Sequence, residues 1–341
     1  MQHRAPKTTK GVVIQRNPKI PPTYGELPMP PLTDDHILIK IHSAPINPSD
    51  QLTLLGIYQD GKPRPTTAGF EGSGLVIAAG NSPQSQALLN KRVCFMARGP
   101  APGSWSEYTI VKNHFAYPLP PNMSYEQGAT CLVNPLTVQA FINICNMEGY
   151  KSMAHTAAAS QVGMMLIQAA KKAGIVLINF VRREGQVKIL KDLGAEYVIN
   201  RGEKGWKKKA YKLLKEHDVK VFFDALAGPE AGEVIRVLPD GATTYNYGVL
   251  TGKELAVSST DLIFRKQIVR GYWLSWQLAN LTTAKTLFQG AFENLATGVF
   301  DVKIAAKFPQ ERFQEALDYY AKNMSKGKVL IQNANFLAPR L

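Results

Sequence analysis

Several features that would remove this chain from the ordinary globular enzymes are scarce. It has three cysteines in 341 residues, Cys94, Cys131 and Cys145. Their number and irregular spacing exclude a disulfide framework and point to a reducing compartment. No stretch approaches the roughly 18 consecutive apolar residues of a membrane span. Acidic residues are few: 26 Asp+Glu stand against 40 Lys+Arg, a formal net charge of +14. That excess carries no zinc-finger spacing, RNA-recognition signature or basic low-complexity tail. Nucleic acid is therefore not the expected partner; a phosphorylated cofactor or an acidic protein is. Proline is nearly absent from the second part, since 17 of the 22 lie at or before Pro121.

What is present is a folding composition, 45% hydrophobic and 19% charged, long enough for about two domains. Arg4, Lys7, Lys10, Arg16 and Lys19 precede the first acid, Glu26. In charge this is similar to a mitochondrial transit peptide, but it is broken by proline, poor in serine and not amphipathic. A basic first strand is the plainer reading. Up to Pro121, short apolar runs such as residues 36–41, 74–77, 92–95 and 108–111 alternate with Pro/Gly turns, the pattern of a compact β-rich domain.

Beyond residue 150 the period changes. Val162, Met165, Leu166, Ala169, Ala170 and Ala173 fall on one helical face. Strands are expected at 152–156, 175–178, 197–199, 219–224, 242–247 and 268–274. Helices are expected near 187–193 and 206–216. The alternation predicts a doubly wound parallel sheet. A helix over Pro309–Asn323 and a strand at Val329–Ile331 would then return to the β-rich part. The helix near 206–216 carries Lys207, Lys208, Lys209, Lys212 and Lys215, most simply a solvated face and alternatively a dock for an acidic partner.

The first strand–helix junction reads Ala157-Ala158-Ala159-Ser160-Gln161-Val162-Gly163. Small residues here let the chain turn tightly and let a pyrophosphate reach the helix N-terminus. Against the pattern G-x-G-x-x-G, Ala158 and Ser160 replace two glycines and Gly163 remains. The next strand ends in Val181-Arg182-Arg183, with no carboxylate at the strand end itself for a ribose 2′-hydroxyl and Glu184 one step beyond. Two guanidinium groups there suit a 2′-phosphate, so NADPH is the expected cofactor.

Four segments carry a family resemblance: Ala44-Pro45-Ile46-Asn47-Pro48-Ser49-Asp50, Gly69-Phe70-Glu71-Gly72-Ser73-Gly74, Asn134-Pro135-Leu136-Thr137, and the nucleotide turn. In order and spacing they resemble the medium-chain dehydrogenase/reductase superfamily. The resemblance implies an α/β fold, with a GroES-like β-rich catalytic domain and a Rossmann doubly wound parallel-sheet domain. The expected division is 1–124 for the catalytic domain, 125–284 for the Rossmann domain and 285–341 for the return. Where zinc-dependent members place a cysteine, a histidine and a second cysteine, this chain has Asn47 or Pro48, Phe70 and Asn134, so no metal is expected.

The remainder is similar to the zinc-free quinone oxidoreductase and trans-2-enoyl thioester reductase branch. Arg270-Gly271-Tyr272-Trp273 and Gly56-Ile57-Tyr58 carry that likeness, while the Ala-Ala-Ala-Ser-Gln turn and His155 before it depart from it. The resemblance implies hydride transfer to an activated double bond or quinone, a small-molecule substrate. Tyr58 is then the candidate donor and acid, and Asn47 a second polar contact. Asn134, Thr137, Ala158, Ser160, Gln161, Val162, Gly163, Arg182, Arg183, Gly248, Tyr272 and Trp273 are the candidate cofactor contacts. A homodimer, or a pairing with a relative, is expected in the mitochondrial matrix rather than the cytoplasm. The alternative is a catalytically weak subunit of a larger assembly.

Overall fold

The computed structural model describes residues 6–58 and 61–336, so Arg4 of the basic N-terminus lies outside the described residues. Along the chain, the first strands are β1 (Thr8–Ile14), β2 (Thr23–Pro28), β3 (His36–Pro45), β4 (Thr66–Thr67), β5 (Glu71–Ala79), β6 (Arg92–Met96), β7 (Tyr108–Lys112) and β8 (Ala116–Pro118). Short helices α1 (Pro48–Leu54), α2 (Pro83–Gln86) and α3 (Tyr125–Gly128) interrupt them. Next come α4 (Val133–Glu148), β9 (Ser152–His155), α5 (Gln161–Ala173), β10 (Val176–Val181), α6 (Glu184–Asp192), β11 (Tyr197–Asn200) and α7 (Trp206–Glu216). They are followed by β12 (Val221–Asp224), α8 (Gly228–Ile235), β13 (Thr243–Asn246), α9 (Ser259–Phe264) and β14 (Ile268–Gly271). Helices α10 (Leu274–Ala279) and α11 (Leu281–Ala296) precede β15 (Ile304–Pro309), α12 (Phe313–Asn323) and β16 (Lys328–Gln332).

Two compact units result, one of residues 1–133 with 302–341 and one of residues 134–301. These borders fall at 133/134 and 301/302, where the sequence reading placed them at 124/125 and 284/285. In the first unit, β3 alternates: Ile37, Ile39 and Ile41 enter one apolar cluster with Val76, Val93 and Phe95, while Leu38 enters another with Ala78 and Ile110. That is the period of two of a strand buried on both faces. The main sheet runs β15-β16-β3-β5-β6-β8, with β7 also paired to β3, so the last strands complete a sheet begun by the first.

In the second unit six strands are ordered β11-β10-β9-β12-β13-β14, and every pairing is parallel. This is the doubly wound order, with its switch point between β9 and β12. Strands β10 (Val-Leu-Ile-Asn-Phe-Val) and β12 (Val-Phe-Phe-Asp) are largely apolar and buried along almost their whole length, as in a sheet covered on both faces. On α7, Trp206, Ala210 and Leu214 recur every four residues and pack on Phe180 and Phe222, leaving the lysines outward. The fold is thus α/β: a GroES-like β-rich domain and a Rossmann domain.

Two expected elements differ. Pro309 stays extended, paired with Gln332 at the end of β15, so the last helix starts at Phe313 after a single 3₁₀ turn. Strand β14 stops at Gly271, and Trp273 turns the chain into α10 as its N-cap.

Candidate functional site

The candidate cofactor residues all lie in the Rossmann unit. After β9 the chain reaches Ala157 in the left-handed region at φ 51°, and Ser160 follows as the N-cap of α5. Ser160 Oγ accepts the Gly163 N–H at 3.2 Å, and the Ser160 N–H closes on the Ala157 carbonyl at 2.8 Å. Gly163 is required by packing: a Cβ there would lie 2.2 Å from the Ala158 carbonyl oxygen. The turn therefore keeps the close helix–strand approach and the open N-terminus that an anion needs, although alanines fill its first positions. Gln161 presents a buried amide nitrogen with no partner among the described residues. Val162 is half-buried beside it, and Ala158 is fully buried under the turn.

Sequence reasoning missed the polar assembly below this turn. Asp224, fully buried at the end of β12, accepts Thr156 Oγ1 at 2.6 Å, the Ala227 N–H at 2.8 Å and Asn246 Nδ2 at 2.9 Å. Thr156 Oγ1 in turn accepts the Ala225 N–H at 2.9 Å, and Asn246 Nδ2 also reaches the Gly248 carbonyl at 3.0 Å. The loops after β9, β12 and β13 are thereby tied into one rim at the carboxyl ends of the strands, where open α/β sheets bind ligands. Burial pushes the Asp224 carboxyl up, and these donors oppose it. Gly248 sits within that rim, where a Cβ would meet the Ala225 oxygen at 2.7 Å.

His155 belongs to the core rather than to the turn. It is fully buried, its Nε2–H donates to Asn179 Oδ1 at 2.7 Å, and Asn179 Nδ2 donates on to the Tyr197 carbonyl at 2.9 Å. Burial pulls its pKa down to about 4, so it is neutral at pH 7.

Arg182 and Arg183 are exposed at the end of β10, their backbone N–H groups both donating to Gln186 Oε1 at 3.0 and 3.2 Å. Arg201, which the sequence reading passed over, follows β11. Its N–H donates to the Val181 carbonyl at 2.9 Å, and its half-buried guanidinium donates to the Glu230 carbonyl at 3.2 Å, attracted by Glu233 and Glu230 and repelled by Arg182. Three arginines thus leave neighbouring strand ends. Asn134 and Thr137 are buried on the first turns of α4. Tyr272 is buried with a hydroxyl that finds no partner among the described residues, its ring 5.4 Å from Phe141, and Trp273 stacks edge-on to Trp276 at 5.8 Å. Unpartnered polar atoms at Gln161 and Tyr272, with the Gly163 and Gly248 cradles, fit a nicotinamide dinucleotide.

The candidate reaction residues lie in the GroES-like unit. Tyr58 follows α1, and both its N–H and that of Ile57 close on the Leu52 carbonyl at 3.1 and 2.9 Å. Its ring is tilted 5.3 Å from Phe70 and interacts electrostatically with Arg98. Asn47 is the N-cap of α1 and is buried, donating from Nδ2 to Glu71 Oε1 at 2.9 Å and accepting from Lys328 Nζ at Oδ1. Phe70 supplies no metal donor, and among the described residues no three His, Cys, Asp or Glu side chains gather as a metal site.

Residues 33–121 match the alcohol dehydrogenase GroES-like domain, and residues 162–287 match the zinc-binding dehydrogenase family. The mitochondrial enoyl-[acyl-carrier-protein] reductase of Arabidopsis thaliana is 30% identical over 256 residues, 73% of this chain and 68% of that protein. A solved Mesorhizobium loti chain, assigned as an NADPH:quinone reductase, is 28% identical with a TM-score of 0.84, covering 96% of this chain and 99% of its own. A solved complex of ETR1P with NADP and crotonyl-CoA shares the fold at 21% identity and a TM-score of 0.78, covering 95% and 99%. Matching domains, strand order and site geometry together place this chain in the medium-chain dehydrogenase/reductase superfamily of oxidoreductases, in its zinc-free quinone oxidoreductase and enoyl reductase branch.

Proposed function

We propose that this chain is an NADPH-dependent, metal-independent reductase passing hydride to an activated carbon–carbon double bond or a quinone. The observation that carries the reading is the Rossmann rim: an intact Ser160 cap, the Gly163 close approach, and Arg182, Arg183 and Arg201 at the ends of β10 and β11, where the nearest carboxylate, Glu184, accepts Asn200 Nδ2 at 3.3 Å. Bound there, the dihydronicotinamide supplies the hydride. Arg182 and Arg183 would hold its 2′-phosphate, with Arg201 at the neighbouring strand end, and the N–H groups at the start of α5 would bind its pyrophosphate. Asn134, Thr137, Tyr272 and Trp273 would orient the nicotinamide end, where proximity would supply much of the rate.

In the other unit, Tyr58 stabilises the developing enolate or phenolate and delivers the proton that completes reduction. The acceptor would gain one hydride from the dihydronicotinamide and one proton from the protein. Asn47 is the second polar group of this half. Enoyl thioesters, enones and quinones all meet these requirements.

A dimer is supported by the edge strand β14, flanked by exposed Leu262, Ile263, Phe264, Ile268 and Trp276. A contiguous apolar edge of this kind fits a second copy or a relative. The mitochondrial names of the relatives support a mitochondrial compartment. The test is NADPH oxidation with crotonyl-CoA, a cyclic enone and a benzoquinone as acceptors. Turnover with at least one, lost in Tyr58→Phe, is expected. NADPH binding without turnover of any acceptor would favour the assembly-subunit reading.

A further inference from the structure

A second buried polar assembly lies in the GroES-like unit. Lys328 opens β16, Glu71 opens β5, and Asn47 and Asp50 flank the start of α1; all four are at most 3% exposed. Ionised side chains in such burial require partners. Lys328 Nζ donates to Asn47 Oδ1, and Asn47 Nδ2 donates to Glu71 Oε1 at 2.9 Å. The Asn47 N–H donates to Asp50 Oδ2 at 2.7 Å. Glu71 Oε2 accepts the N–H groups of Leu132 and Val133 at 3.2 and 2.8 Å.

The Asn47 amide is thus oriented from both sides, an ammonium on its oxygen and a carboxylate on its nitrogen. Lys328 compensates the buried Glu71 and Asp50 carboxylates, and an apolar side chain at 328 alone would leave them unbalanced. The lysine also adds direction: it fixes which end of the amide faces β5, and so fixes the N-cap of α1. Helix α1 is only seven residues long, and its Leu52 carbonyl holds the backbone of Ile57 and Tyr58.

We propose that Lys328 is a positioning residue for Tyr58, acting through the Asn47 amide and helix α1. This rests on the reading of Tyr58 as the proton donor. The groups facing Asp50 are Glu71 from β5, Lys328 from β16 and Tyr320 from α12. Burial, with Glu71 adding to it, raises the Asp50 carboxyl to about 7, while the Asn47 N–H and Lys328 oppose the rise. Removing the ammonium therefore moves this titration to higher pH.

The test compares Lys328→Met and Lys328→Arg in the full chain. With NADPH and the best acceptor, Lys328→Met should lower kcat about tenfold or more, leave KM for NADPH within about twofold, and move the pH limb of kcat upward. Lys328→Arg should restore part of both. A filler role alone would change the melting temperature and leave the pH limb in place. A folded Lys328→Met protein with wild-type kcat and pH limb overturns the proposal.

A ligand-free arm separates this from failure of the reductase reading. In protein with ¹³C-labelled tyrosine rings, the Tyr58 resonance, assigned by its loss in Tyr58→Phe, should move in Lys328→Met and return in Lys328→Arg. An unmoved resonance refutes the positioning role whether or not the protein turns over any acceptor. If Lys328→Met does not fold, the charge-matched Lys328→Met/Glu71→Gln protein is read in its place, with the same resonance shift expected.

Discussion

Replacing Gly163 with alanine sets the packing of the nucleotide turn against its backbone. The new Cβ would lie 2.2 Å from the Ala158 oxygen, where ordinary contact begins at 3.4 Å, so about 1.2 Å must be opened. Neither side yields easily. The turn is held by the Ala158 N–H on the Phe180 carbonyl at 3.3 Å and by the Ser160 N–H on Ala157 at 2.8 Å, and α5 is packed through buried Met165, Leu166 and Ala169. Overpacking of this kind costs about 1–3 kcal/mol. For a unit of about 170 residues, each kcal/mol lowers Tm by roughly 2–4 °C, so a fall of about 2–12 °C is expected. Shifting the turn also displaces the Ser160 cap and the anion-facing N–H groups, so NADPH affinity should fall about tenfold or more. The opposite change is Ala157→Gly, which relieves an alanine at φ 51° and should raise stability by about 1 kcal/mol. Calorimetry with and without NADPH reads both variants. A Gly163→Ala protein with unchanged Tm and unchanged NADPH affinity would refute the reasoning.

Other outcomes follow from the same geometry. Arg182→Ala combined with Arg183→Ala should weaken NADPH by about 10- to 100-fold and leave NADH unchanged, measured by nicotinamide fluorescence; equal losses for both cofactors would deny the 2′-phosphate contact. Tyr58→Phe should lower kcat about 100-fold with little change in NADPH affinity, and full activity would remove Tyr58 from the chemistry. His155, held neutral by burial with its pKa at about 4 against 6.5 when unfolded, contributes stability that is complete above pH 6.5 and is lost as pH falls toward 4. That loss is about 3 kcal/mol. His155→Gln should flatten it in urea unfolding at pH 7 and pH 4.5, and an unchanged acid slope would show that another group is responsible.

Where local chemistry declares itself, the fold and site were legible. The helical face of Val162, Met165, Leu166, Ala169 and Ala170, the helix expected near 206–216 and the apolar run at 36–41 follow from side-chain spacing, and they appear as α5, α7 and β3. The arginine pair was visible because it stands at a strand end where a carboxylate would serve a different ribose. Asp224, Thr156 and Asn246 were not visible, since each reads alone as a polar residue ending a strand, and only the sheet brings them together. Arg201 was lost in a basic stretch. Lys328 looked like an ordinary lysine before an apolar run; its one signal is that the strand it opens is buried from its first residue. Pro309 misled because a proline before an amphipathic run commonly starts a helix, whereas here strand pairing with Gln332 retains it.

The central claim is that the altered turn still holds a dinucleotide and that the arginines choose its phosphate. Titration of the purified full chain with NADPH and with NADH, followed by nicotinamide fluorescence, tests it most directly. The account predicts saturable NADPH binding at least about tenfold tighter than NADH. Equal or tighter NADH binding, or no binding of either at millimolar concentration, would contradict it.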